Sequence, residues 1–177
     1  MSSILSKLSF GKREEIVTTE CPKLDPPPLT PYVETADLCM GWFWGPDYTF
    51  SNLDGVYEVT VGYAGGSGAY PTYRNIKDHT EAVRIIYDPN IITFDDLLDK
   101  FLEELGGPPI TPSYSRQYRS AILVHTSTQR EIAHQKVEAW SKKYGNRRLY
   151  VDIQDATDFY RAEEYHQKYM QKQRSRR

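Results

Sequence analysis

Cysteine is scarce in this chain: among its 177 residues only Cys21 and Cys39 carry thiols, and no cysteine follows position 39. Two are too few for a disulfide framework or a zinc cluster, so a reducing compartment, cytoplasm or organelle interior, is the default expectation. The four histidines, His79, His125, His134 and His166, show no two-histidine spacing with a third ligand, and no metal site or other cofactor is expected. Long hydrophobic runs are missing too; none approaches the roughly 18 residues that suggest a membrane span. Nor is one sign of charge in excess. The formal balance of −2 gives no electrostatic case for nucleic acid, although the last ten residues, with Lys168, Lys172, Arg174, Arg176 and Arg177, are wholly basic. A Gly-x-Ser-x-Gly elbow, the mark of one serine-hydrolase arrangement, is absent. Residues 1–13 hold Ser, Lys and Arg without an acid, in the manner of an organelle transit segment, and lack the h-region of a secretory signal.

What is present suits one domain with an arm and a tail. Five prolines, Pro22, Pro26, Pro27, Pro28 and Pro31, crowd into ten residues, so residues 1–34 read as an extended arm unable to pair as helix or sheet. Its Ile16, Val17, Leu24, Leu29 and Tyr32 suit it to lie along its own domain or along a partner. The domain itself is expected over residues 35–170, with a basic tail at 171–177. Alternation predicts strands at 36–40, 56–63, 81–87, 121–124 and 149–153. Thr93 with Asp96, and Thr126 with Gln129, are capping pairs that open helices, the second closed by Gly145. A closing helix is expected over residues 158–171. Strands and helices alternate without the spacing of a doubly wound sheet, which points to an α+β fold: a two-layer mixed sheet with flanking helices.

The strand at 36–40 runs into Gly41-Trp42-Phe43-Trp44-Gly45, followed by Pro46-Asp47. Gly and Pro here signal a tight turn and a helix start. In that geometry residue 42 stands where the orphan N–H groups and positive end of the helix dipole converge, a place that turns a cysteine into a thiolate. Position 42 is tryptophan. Downstream, residues 64–73 form a glycine-rich loop of the kind that shapes sites.

Five blocks, in order, resemble the methionine sulfoxide reductase A family: residues 41–45; Gly62-Tyr63-Ala64-Gly65-Gly66 through Pro71-Thr72-Tyr73; His79-Thr80-Glu81-Ala82-Val83 with Tyr87-Asp88-Pro89; Gln117-Tyr118-Arg119-Ser120; and Phe159-Tyr160-Arg161-Ala162-Glu163 through Tyr165-His166-Gln167. The resemblance spans about residues 36–169. It implies the family's ferredoxin-like core and a pocket for the methylsulfinyl end of oxidised methionine in peptides. In the family a cysteine attacks the sulfur and becomes a sulfenic acid that further thiols, such as thioredoxin, reduce. By resemblance, Phe43 and Trp44 hold the methyl group, Tyr73 and Tyr118 donate to the sulfoxide oxygen, and Glu81 protonates it. Those types fit the chemistry, because the oxygen leaves only if it is protonated as the sulfur is attacked. A carboxyl enclosed by aromatics has its pKa raised, as an acid for that step needs.

The departures bear on function. Trp42 stands at the nucleophile's position, and an indole has no thiolate chemistry. Ser113 stands where the family usually carries an acidic residue, Asp78 replaces an expected glycine, the loop between Tyr73 and His79 is short, and the resolving thiols many members carry are absent. Cys39, three residues earlier in a strand, starts about 10 Å away with opposite parity. Cys21, in the arm, has nothing to depress its pKa. Glu81 has a plainer reading as a partner of Arg119 or Arg84, and the aromatics as core or surface packing. Three functions remain open. One is a non-catalytic binding or structural subunit of a larger assembly, engaged through residues 1–34 and the tail. Another is an active methionine-S-sulfoxide reductase whose residue 42 is in truth cysteine or selenocysteine. The last is an aromatic pocket for unoxidised methionine or a methylated cation. Whether Trp42 fills the pocket decides what room is left for a ligand.

Overall fold

The computed structural model describes residues 21–176. Expectations for residues 1–20, including Ile16, Val17 and the transit-like composition, and for Arg177 lie outside them. Seven strands form one sheet: β1 (Lys23–Leu24), β2 (Glu34–Met40), β3 (Val56–Ala64), β4 (Thr80–Tyr87), β5 (Ser120–Val124), β6 (Val151–Asp155) and β7 (Phe159–Arg161). Their order is β1-β7-β3-β4-β2-β5-β6. Only β5 and β6 pair in parallel, so the sheet is mixed, as expected. The helices are α1 (Trp44–Ser51), α2 (Phe94–Glu104), α3 (Ser127–Lys143) and α4 (Tyr169–Arg174).

Period-two alternation decides which side chains face the helices. Leu38, Val59, Val61, Tyr63, Val83, Ile85, Ile122 and Val124 join the buried cluster that takes in Phe50 of α1, Leu97, Leu98 and Phe101 of α2 and Ala133 of α3. The opposite parity packs a thinner layer of Cys39, Ala64, Ala82, Ala121, Leu123 and Phe159. Thr93 caps α2 with the full reciprocal box to Asp96. Thr126 accepts from the Gln129 amide, while the Gln129 side chain accepts from His125 N at 2.8 Å.

Three expectations need correction. Residues 158–171 do not form a closing helix: they divide into β7, a 3-10 turn at Glu164–His166 and the short α4. β7 is drawn into the sheet because Gly62 has no side chain; a Cβ there would stand 2.3 Å from Tyr160 O, and tertiary pairing overrides local helix preference. The arm is not wholly unpaired. Lys23 and Leu24 pair with Tyr160 and Phe159, and Pro22 O accepts from Arg161 N at 2.9 Å, because the prolines leave this dipeptide's ladder groups free. Cys21 is likewise not in a loose arm but buried in the main core. Finally, β6 begins at Val151 rather than 149, because Tyr150 N donates to Pro109 O at 2.7 Å instead. Among the described residues no helix is long and apolar enough to cross a membrane.

Candidate functional site

The site grows out of the junction between β2 and α1. Gly41 turns the chain at φ +83°, in the left-handed region that favours glycine. Trp42 then projects outward, 58% exposed, and Phe43 becomes the N-cap of α1. No side chain caps this helix start. Instead the Phe43 amide donates to Glu81 Oε2 at 3.3 Å. Glu81 reaches it because it shares the parity of Val83 and Ile85 on β4, and so faces the helices from opposite Tyr63.

Glu81 is fully buried. Burial pushes its pKa up to about 7, with the hydrogen bonds from Gln117 and the Phe43 amide opposing. It pairs with neither arginine suggested by the sequence. Arg84 holds the buried Asp37 through two bonds at 2.8 and 2.7 Å, and Arg119 holds Asp152, Gln154 and Thr80. Glu81 Oε1 accepts from Gln117 Nε2 at 3.0 Å, and the same amide donates to Tyr118 Oη at 3.1 Å. Burial foremost, with the neighbouring Tyr73 hydroxyl contributing, raises the Tyr118 pKa to about 12. Two of the three polar residues expected to work together, Glu81 and Tyr118, are thus joined through Gln117, and Tyr73 stands beside Tyr118.

Aromatic rings form the rest. The Trp42 and Trp44 centroids lie 4.6 Å apart at 47°, and Trp44 stacks on Tyr169 at 3.7 Å. Trp44 Nε1 donates to His166 Nδ1 at 3.1 Å, which suits a neutral imidazole, and burial lowers the His166 pKa. Glu163 anchors the back: it accepts from Tyr63 Oη at 2.7 Å and from Tyr73 N at 2.9 Å. Burial favours its neutral form, but those hydrogen bonds prevail and hold its pKa below the usual value.

Between the rings lies an open depression of about 580 Å³ lined by Gly41, Trp42, Trp44, Tyr73, Ser113, Tyr114 and Tyr118. Trp42 forms a wall and does not fill it. Of the expected aromatic pair, Trp44 lines the depression and Phe43 does not: its ring is buried against His166 and Tyr63, with centroids at 5.2 and 6.1 Å. Ser113, at the position of the missing acid, sits at the rim and donates its hydroxyl to Ser115 O at 2.9 Å. Asp78 serves the glycine-rich loop, accepting from the Gly68 and Ser67 amides and the Ser67 hydroxyl, in that order the causes of its lowered pKa.

Neither thiol belongs to the depression. Cys39 is buried on the opposite face of the sheet, where burial raises its pKa to about 12, and Cys21 is in the core. Sequence reasoning assigned no role to Gln117, His166, Glu163, Tyr114 or Tyr169. The first three lie inside the quoted blocks, which was the available signal; the two tyrosines carried none.

Residues 34–177 match the family model described as "Peptide methionine sulfoxide reductase". The chain is 42% identical over 137 residues to a peptide methionine sulfoxide reductase of Drosophila melanogaster, a match covering 76% of this chain and 54% of that protein. To the enzyme of that name from Solanum lycopersicum it is 34% identical over 172 residues, 92% of this chain and 88% of the relative. The solved methionine sulfoxide reductase A of Corynebacterium diphtheriae superposes with a TM-score of 0.72 at 33% identity, over 81% of this chain and 76% of that one. With the mixed sheet, the turn before α1 and the Glu81–Tyr118–Tyr73 group in place, the chain belongs to the peptide methionine sulfoxide reductase A family.

Proposed function

We propose that this chain is a non-catalytic member of its family, retained as a binding or structural subunit of a larger assembly. The observation that carries the reading is the indole of Trp42 at the start of α1, with both thiols of the chain buried elsewhere. Attack on a sulfoxide sulfur needs a thiolate at that turn. An indole N–H is a donor only, and Cys39, its pKa raised to about 12, lies on the wrong face of the sheet. Ser113 in place of an acid adds a second loss. Leu29 and Tyr32 of the arm, 64% and 65% exposed, are apolar contacts available to a partner, and the basic tail is a second candidate contact.

One observation favours the alternative, an active reductase of methionine-S-sulfoxide in peptides with residue 42 in truth cysteine or selenocysteine. Glu81 is still set up as an acid near neutrality, beside Tyr118 and Tyr73. In that reading a thioredoxin or other thiol reductant regenerates the enzyme. Mass spectrometry of peptides spanning residues 38–57 from the native source separates the two. Tryptophan at 42 upholds the non-catalytic reading; cysteine or selenocysteine overturns it.

A further inference from the structure

Trp42 and Tyr114 add ring surface to the depression beyond Trp44, Tyr73 and Tyr118, which resemblance already assigns to a sulfoxide pocket. Five of its seven lining residues are aromatic, and none is charged. Its rings come as two tilted pairs: Trp42 with Trp44 at 4.6 Å and 47°, and Tyr114 with Tyr118 at 5.6 Å and 39°. Trp44 is held from behind by its stack on Tyr169 and its bond to His166, so its ring is pre-positioned. Trp42 and Tyr114, 58% and 87% exposed, present ring surface to solvent with little cover.

The side chains behind these rings are acidic, Glu163 held ionised by its hydrogen bonds and Glu81 drawn toward its neutral form by burial. Glu163 accepts from the backbone amide of Tyr73, and Glu81 is one amide away from Tyr118 through Gln117. Several basic groups on neighbouring elements are engaged elsewhere, Arg116 with Asp78 O and Gly65 O, Lys168 with Asp47, and Arg174 with Tyr48, while Arg74, next to Tyr73 in sequence, is exposed to solvent. Aromatic faces carry negative quadrupole potential, strongest for indole, so the wall and what lies behind it favour a cation. The cation must also bring no N–H groups of its own. Ser113 Oγ donates to Ser115 O and accepts from Ser115 N, and Tyr118 Oη accepts from Gln117. A bare ammonium would exchange part of its hydration for a mostly aromatic wall with few acceptors, whereas an alkylated one has no donor to satisfy.

We propose that the depression bounded by Trp42, Trp44, Tyr73, Tyr114 and Tyr118 is a recognition site for a trimethylammonium group. Trp42 then has a function at the position where the family carries its nucleophile: it supplies the ring face that is best at holding a soft cation. The assignment rests on the non-catalytic reading of the same site and names its ligand.

Calorimetric titration of the full chain tests it, with choline, its neutral isostere 3,3-dimethylbutan-1-ol, and a trimethyllysine peptide beside its unmodified lysine counterpart. Choline is expected to bind at least tenfold more tightly than the isostere, and the trimethyllysine peptide at least tenfold more tightly than the lysine peptide. A trimethyllysine peptide tighter than choline identifies a modified protein tail as the source, and equal affinities identify a free small molecule. Trp42→Ala and Tyr114→Ala, both at exposed positions that do not endanger folding, should each weaken choline binding by tenfold or more. Equal binding of choline and its isostere, no binding of either cation, or unchanged affinity in both variants overturns the assignment. A thiol-dependent sulfoxide reduction assay runs on the same sample. Turnover there overturns the non-catalytic reading and the assignment with it, whereas absence of both turnover and binding removes the ammonium ligand alone.

Discussion

Gln117 stands between Glu81 and Tyr118 and donates to both, at 3.0 Å to the carboxylate and 3.1 Å to the phenol oxygen. Tyr118 Oη therefore accepts from Gln117, which leaves its own proton free to be donated, and Tyr73 lines the same depression. The residues that resemblance casts as acid and donors thus stand together, with Trp42 at the position of the nucleophile.

Trp42→Cys should restore one turnover. With no reductant, the Trp42→Cys protein is expected to convert about one equivalent of a methionine-S-sulfoxide peptide to its methionine form, the sulfoxide oxygen passing to the new thiol, which ends as a sulfenic acid. Adding Glu81→Gln should slow this step roughly 10²-fold or more, the usual scale of a lost general acid. Since Glu81 titrates near 7 and only its protonated form is the acid, the rate ratio between the two proteins should be greatest below pH 7 and shrink above it. A ratio independent of pH would remove Glu81 from the role.

Both native thiols should resist labelling. Cys39 and Cys21 are 0% and 2% exposed, so DTNB at neutral pH is expected to report two equivalents only after denaturation and almost none before. Prompt labelling of either thiol in the folded protein would reopen it as a substitute nucleophile.

Asp37 is a stability test far from the depression. Burial alone would raise its pKa, but Arg84 and His125 outweigh this and lower it. A lowered folded-state pKa contributes stability above the unfolded value, near 3.8, that is lost as pH falls through the folded value. Asp37→Asn leaves Arg84 buried without its counter-charge and should cost about 3–5 kcal/mol at pH 7. Urea unfolding should show that difference shrinking below pH 3.8; a difference constant with pH would contradict the ion-pair account.

Trp44→Phe keeps an aromatic ring and removes the donor to His166 Nδ1. Loss of a bond that requires the neutral imidazole should raise the His166 pKa, read by NMR titration, and cost about 1 kcal/mol of stability. An unchanged His166 titration would show that burial alone keeps it neutral.

Much of this was legible in the sequence because strand alternation and capping pairs are local. The parity argument that separated Cys39 from residue 42 holds in the sheet, where Cys39 faces Ala121 rather than the helices. What escaped was set by distant partners. β7 depends on the missing side chain of Gly62, 97 to 99 residues earlier in sequence than its three positions. Burial of Cys21 depends on a two-residue pairing that the neighbouring prolines concealed. In the site, Glu81, Tyr73 and Tyr118 came through resemblance, whereas Gln117 as the link between Glu81 and Tyr118 and Phe43 as buried core required three-dimensional contacts.

The most direct test of the central claim is steady-state reduction of a methionine-S-sulfoxide peptide by the native chain under excess dithiothreitol, with methionine quantified against a protein-free control. The account predicts no methionine above the control, because residue 42 offers no thiolate and neither cysteine reaches the depression. Thiol-dependent methionine formation that scales with protein concentration would contradict it.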